Sequence, residues 1–474
     1  MVETIAMKLL NNILVEFSSC FSRKAAFHWF VVIIIGLMIR TDTLGLTSII
    51  RDLNLDGNLY PAMNHFFYSK AWCLENLRNK WILIVKNFAP LIKVDDRFIL
   101  PADGVKKSKE GRYMPGVKKM VNESENSATP SYMYGHMFGS VGVIAGNIKK
   151  KFCIPLWTEL HDGVSKAFEW DNNQDRTHSH IVQTIIICYK TAMKLGKSIG
   201  LLDRYFMSVP ALKMLDFLNK TQGEILHIIT RAKRSYVAFE KPPPPTGKRG
   251  APPKKGKKKY TLGKVFEDKA DKFETIYVNY YGKQRDIKAY RMELVWGRTL
   301  YKVLCFVFVD VDGSKTILAS TDLTLSTKQI IEQYCLRFKI EAAFRELKQV
   351  IAGFGHRFWM KNLPKLNRRR KKDEPDEFEQ IDNDRDRRTF INKIRATEMY
   401  SLCSNIALGL LQILAIQIGE SLDVKKIRFL RTYSNSIPSE ATMAAYIRQQ
   451  LYFIFSTYRN LPIARIIKSK QRPP

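Results

Sequence analysis

Acidic residues are in short supply in this 474-residue chain: 45 Asp and Glu stand against 77 Lys and Arg, leaving a formal charge of +32 at pH 7. A surplus of that size repels itself unless something anionic neutralises it, and a polyphosphate chain is the usual partner. Paired cysteines are missing too. The seven cysteines (20, 73, 153, 188, 305, 335 and 403) contain no Cys-x-x-Cys pair. That excludes a disulfide-stapled fold, argues against structural zinc, and points to buried free thiols in a reducing compartment. The one run that could suggest a membrane, Trp29 to Ile39, has eleven apolar or glycine residues and ends at Arg40. A span needs about 18–20, so the run reads as a buried core helix, and neither a secretory signal nor a membrane is expected.

What remains is ordinary for a globular protein with a sizeable core: 45% hydrophobic, 26% charged and 11% aromatic residues, which excludes disorder throughout. At roughly 150 residues per domain the length suggests two to four domains. Residues 1–92 carry helix-period apolar positions and read as a helical N-terminal region. Residues 93–235 alternate strand-like runs with one amphipathic helix, His180 to Leu195, the pattern of an α/β layer. Residues 236–313 begin with a Pro/Gly/Lys-rich stretch, 241–260, holding eight basic and no acidic residues. It cannot form a core of its own, and with this net charge it reads as a basic arm on a nucleic-acid backbone. Strand-like segments follow it. Residues 314–360 hold one more strand and a long helix expected over Thr327 to Val350, and 361–474 hold a charged loop and C-terminal helices.

The segment Tyr334 to Lys348 is the most informative. At 100° per residue, Tyr334, Arg337, Glu341 and Lys348 fall within about 60° of one another on a helical wheel, with Arg345 beside them. By itself such a stripe reads as a solvated, ion-paired face. Two further carboxylates change the balance. Asp103 follows the apolar run Phe98-Ile99-Leu100 and precedes a Lys-rich stretch, and Asp203 ends the aliphatic run Ile199 to Leu202. Each alone suits a turn at a strand end. Together, beside so many cations, three carboxylates suit divalent-metal phosphoryl transfer, in which hard oxygen ligands hold Mg²⁺.

Here a resemblance becomes specific. Tyr334-x2-Arg337-x3-Glu341-x6-Lys348 is similar, without a spacing error, to the signature of bacterial insertion-sequence transposases with a DDE active site, of the Tyr-Arg-Glu-Lys class (family-four type). Asp103-Gly and Tyr134-Gly-His-Met-Phe-Gly139 resemble the first-aspartate region of those enzymes, and Leu202-Asp203-Arg-Tyr-Phe206 resembles the second. Ser320-Thr-Asp322 and His356-Arg-Phe-Trp359 resemble flanking segments. The likeness runs over about residues 25 to 465. One departure is Tyr205, where many members have a small residue.

The resemblance implies a ribonuclease-H-like catalytic core interrupted by a strand-rich insertion, with helical N- and C-terminal regions. It implies a catalytic triad of Asp103, Asp203 and Glu341 holding two Mg²⁺ (or Mn²⁺) ions. The reaction would be cleavage at the element's ends and transfer of the freed 3′-hydroxyl into target DNA. Tyr334, Arg337 and Lys348 would contact DNA phosphates. Arg345, Arg231 and Lys233 are further DNA-binding candidates, and Trp296 could stack on an unpaired base, although a core tryptophan is the better expectation. Partners would be the terminal inverted repeats, target DNA and a second copy of the chain in a synaptic complex, with a cytoplasmic, nucleoid-associated location in a bacterial or archaeal cell. The rival readings are a DNA-binding derivative without catalysis and a nuclease that cuts without joining. Asp322 reads as a helix-start residue, Asp310 and Asp312 as flanks of a hairpin turn at Gly313, and His178 and His180 as surface residues.

Overall fold

In the computed structural model of the protein the described residues are 2–42, 45–122, 130–244, 251–369, 377–423, 427 and 437–472. The protein is of mixed α/β class, with many helices and a large sheet that combines parallel and antiparallel pairs. It divides into two compact units. One, rich in helix, is Met1–Leu91 with Gly104–Gln183 and Glu341–Pro474; the other, the sheet unit, is Ile92–Asp103 with Thr184–Ile340. The five segments expected from sequence follow chain order, whereas these units follow packing.

In the sheet unit the first half of Arg97–Ser108 pairs in parallel with Ser198–Leu201, which pairs in parallel with Leu226–Arg231. The intervening helix Val209–Gln222 makes the parallel crossover possible. Beyond Leu226–Arg231 the pairing turns antiparallel through Ser314–Ser320, Lys302–Val311, Lys283–Trp296 and Glu274–Tyr280. The strand-like reading of the stretch after the basic arm is thus met. The Asp310–Gly313 turn forms as its residues predict: Asp312 and Gly313 both have positive φ, +50° and +84°, and Val311 faces Ser314, the two-residue hairpin geometry that matches strand twist.

The basic arm differs from expectation in its second half. Lys259–Thr261 pairs with Val237–Phe239, and Lys255 lies 3.7 Å from the centroid of the Phe239 ring. Cations laid on aromatic faces replace the missing apolar core. The remainder of that arm, 245–250, and most of the basic–acidic loop, 370–376, lie outside the described residues.

In the helix-rich unit, Tyr132–Gly146 pairs antiparallel with both Lys118–Val121 and Lys151–Asp162. The helices Val2–Glu16, Lys24–Ile39 and Leu74–Phe88 pack with the long helix Asp384–Ile418, which also covers the strand Lys151–Asp162. As expected, Trp29 to Ile39 is a core helix, buried at every residue. Asp384–Ile418 is long and apolar enough to cross a membrane by length and composition, but most of that stretch is buried within its unit, as the central helix of a core is.

One element departs from the sequence reading. The expected continuous helix is two, Thr327–Tyr334 and Phe338–Gln349, joined by a 3₁₀ turn at Cys335–Arg337. Each 3₁₀ residue turns about 120° rather than 100°, so the wheel drawn through Tyr334, Arg337 and Glu341 does not hold across the turn.

Candidate active site

Two of the candidate carboxylates, Asp103 and Asp203, belong to the sheet unit. The parallel register runs as far as Pro101↔Leu201; Asp103 lies two residues further along Arg97–Ser108, and Asp203 two residues past the end of Ser198–Leu201. Asp203 Oδ1 accepts from the Arg204 N–H at 2.7 Å, and its carbonyl accepts from Thr230 Oγ1 at 2.7 Å. Both bonds fix the backbone of the turn. Asp103 is not at a strand end as expected; the strand continues to Ser108. The following Gly104 answers to crowding: a Cβ there would lie 2.3 Å from Met137 Cε and 2.8 Å from His180 Nε2, so only glycine leaves room.

Arg337 Nη1 donates to Asp103 Oδ2 at 2.9 Å, with both side chains mostly shielded. Tyr334 is 6% exposed, and its hydroxyl has no hydrogen-bond partner among the described residues. Burial pushes its phenol well above the usual range; Arg337 opposes the shift and Asp203 adds to it. Arg231, exposed, joins Tyr334, Tyr280 and Tyr281 around a cavity of about 180 Å³. Arg231, Arg337, Tyr334 and the aspartate pair thus belong to one unit. Tyr205, the departure from the family pattern, is 52% exposed, with the Arg204 guanidinium 5.4 Å from its ring centroid.

Glu341, Arg345 and Lys348 belong to the helix-rich unit. Glu341 is half-buried in the first turn of Phe338–Gln349. Arg345 pairs with its neighbour Glu346 at 2.8 Å on the surface. Lys348 lines a polar cavity of about 260 Å³ with Lys107, Lys109 and Arg357, against one carboxylate, Glu110. Burial and then Lys107 lower the Lys348 ammonium below its usual value. Lys109, 5% exposed, donates to the carbonyls of Phe354 and His356. Its burial, then Lys107 and Arg357, bring its pKa down to about 7. Four basic side chains thus line one small cavity and, against one carboxylate, make its potential positive. In the sequence Lys107 and Lys109 are only members of the Lys-rich stretch after Asp103, and Arg357 does not stand out, because nothing in the chain order tells which basic residues converge.

Several expectations need restating. Trp296 is 9% exposed and lies 5.5 Å from Tyr236, packed in the core rather than presented to a base. Lys233 is exposed near the same Tyr236. Asp322 does not cap a helix; Ser326 does, in a capping box with Gln329. Asp322 is buried, accepts from Thr324 N and Oγ1 at 2.9 and 2.7 Å, and faces Arg97 at 3.0 Å. His178 is exposed as expected, but His180 is mostly buried, its Nδ1 2.7 Å from His161 Nδ1. Burial, then His161, lowers its pKa to about 3.

A buried ionic network went unnoticed in the sequence. Glu398 accepts from Arg176 at 2.6 Å and Arg78 at 3.3 Å. Glu159 lies 3.5 Å from Arg176, 3.6 Å from Arg78 and 3.4 Å from His161 Nε2, and accepts from Trp157 Nε1 at 2.9 Å. Burial pushes Glu159 upward, yet Arg176, His161 and Arg78 together hold it well below the usual carboxylate range.

Among the described residues, no group of three or more His, Cys, Asp or Glu side chains could hold a metal ion. The Asp103 and Asp203 carboxylates are hard oxygen donors of the kind Mg²⁺ takes. No protein-family model and no curated relative matches the chain.

Proposed function

We propose that the protein is a DDE-type DNA transposase with a ribonuclease-H-like catalytic core, cutting the ends of its own element and joining the 3′-hydroxyl to target DNA. The observation that carries this reading is Asp103 on the strand Arg97–Ser108 and Asp203 two residues past the end of its parallel neighbour Ser198–Leu201, with Arg337 ion-paired to Asp103. The chain order is a strand, three strands of an antiparallel ladder, a helix, a parallel strand, a helix and another parallel strand, an alternation that supports an α/β core. The resemblance adds Glu341 as third carboxylate.

Asp103 and Asp203 would hold Mg²⁺, which when bound supplies the Lewis acid that activates water and neutralises charge on the leaving oxygen. The chain's own groups bind and orient. Arg337, released from Asp103, offers a bidentate fork to a phosphate. Tyr334 brings to the sheet unit a hydroxyl with no hydrogen-bond partner among the described residues. Lys348 with Lys107 and Arg357 grips another phosphate in the helix-rich unit.

The test is metal-dependent cleavage and strand transfer by purified protein on DNA carrying the sequences that flank its coding region. Wild type should cut and join with Mg²⁺. Asp203→Asn and Glu341→Gln should lose both activities by at least about a thousandfold, the scale on which removing a transition-state stabiliser acts, and still bind the DNA. Cutting at the wild-type rate by either variant would overturn the assignment. A second reading, a DNA-binding protein without catalysis, draws support from the lack of a three-ligand cluster among the described residues. It predicts shifted but uncut DNA under every metal tried.

A further inference from the structure

The long helix Asp384–Ile418 opens with a charged stripe that neither the sequence reading nor the proposed chemistry uses. Asp384, Arg387, Arg388 and Arg395 recur at helical spacing, and with Lys70 and Trp170 they line a groove of about 540 Å³ within the helix-rich unit. Four cations against one carboxylate make it an anion site by charge alone. Its aromatic wall makes it more specific. Phe378 and Phe390 meet the Trp170 ring edge-on at 5.9 Å, with interplanar angles of 75° and 74°, and hold it in place. The Arg387 guanidinium lies 5.3 Å from the Trp170 centroid. Arg387 Nε donates to the Ile381 carbonyl at 2.9 Å and Arg388 Nε to the Asp384 carbonyl at 3.2 Å. Each guanidinium is thus anchored through Nε, and its terminal nitrogens remain for a bidentate acceptor.

We propose that this groove binds a single-stranded segment of nucleic acid, with phosphates on Lys70, Arg388 and Arg395 and a base over the Arg387–Trp170 pair. A flat π-system on a guanidinium–indole platform, with phosphates beside it, is the chemistry by which unpaired strands are held. An acidic peptide would satisfy the cations and leave the platform unused. A duplex keeps its base faces stacked away from any such platform. The inference is independent of the catalytic reading, because binding needs neither metal nor cleavage.

The experiment uses the full chain without metal and a labelled oligothymidine strand, titrated across a range of salt. Arg388→Ala with Arg395→Ala should lower the salt slope of binding by about 1.4, at ~0.7 for each single-strand phosphate that is no longer neutralised. A charge-matched control on exposed residues of the same unit, Lys8→Ala with Lys468→Ala, should leave the slope close to wild type. Equal slopes for both double variants would overturn the proposal. So would tripolyphosphate competing as well as the strand, phosphate for phosphate, which would mark a small-anion site. In wild type, a strand carrying 5-iodouracil should photo-cross-link to the peptide that contains Trp170; cross-links confined to other peptides would refute the site even if the double variant fails to fold. A protein inactive in cleavage but positive here would sink only the catalytic reading.

Discussion

Lys109 shows how a single residue can carry a pH signature. Its ammonium is buried among like charges, and its pKa falls from 10.5 to about 7. The folded protein therefore binds fewer protons than the unfolded chain between pH 7 and 10.5, so stability must rise with pH across that window. Below pH 7 both states are protonated, and the cost of the buried charge is at its largest. Denaturant unfolding at pH 7 and pH 9 should show wild type gaining on Lys109→Met, by up to about 1.4 kcal/mol per pH unit. Parallel pH curves for the two proteins would remove the buried ammonium from the account. The residue itself is plain in the sequence as one lysine among several. Which of them is buried is not, because burial depends on the loop Phe354 to His356 that supplies the accepting carbonyls.

At the scale of elements, the Asp384–Ile418 helix is tied to the strand Lys151–Asp162 by charge as well as by apolar packing. Glu398 reaches from the helix to Arg176 and Arg78 and accepts the Leu160 N–H at 2.9 Å. Removing one partner of a buried ion network strands the others without water or counter-charge. Glu398→Gln should destabilise the protein by about 3–5 kcal/mol, measurable as a large drop in Tm or in the denaturant midpoint. A loss below about 1 kcal/mol, the range of exposed pairs, would mean the network is solvated in solution. Elements of regular apolar period were legible: His180 to Leu195 is a helix with those bounds, and the strand through Asp103 and the one that ends just before Asp203 lie where aliphatic runs foretell them. The 3₁₀ turn at Cys335–Arg337 was not legible. Helical residues fill it, and only the tertiary placement of Tyr334 and Arg337, one in the core and one on Asp103, distinguishes it from an unbroken helix.

For the whole molecule, the scattered cysteines make a direct check on packing. Cys153, Cys188, Cys305, Cys335 and Cys403 are buried, Cys20 is half-buried and Cys73 is exposed. Burial raises the Cys20 thiol above its usual value, though Lys80 partly offsets this. A thiol reagent at neutral pH should therefore modify one cysteine quickly and a second slowly, with all seven reacting only in denaturant. Rapid reaction of three or more in native protein would contradict the packing described. The sequence by itself determined the α/β class, the net charge of +32 and the chain positions of the candidate carboxylates. Those properties depend on composition and on short apolar periods, which a linear chain already contains. Tertiary structure alone decided that the strands leading to Asp103 and Asp203 pair in parallel, that Lys107, Lys348 and Arg357 share one cavity, and that Trp296 is core while Trp170 lines a basic groove. Such partnerships join residues tens to hundreds of positions apart, and local preference carries no information about which distant side chain completes a site.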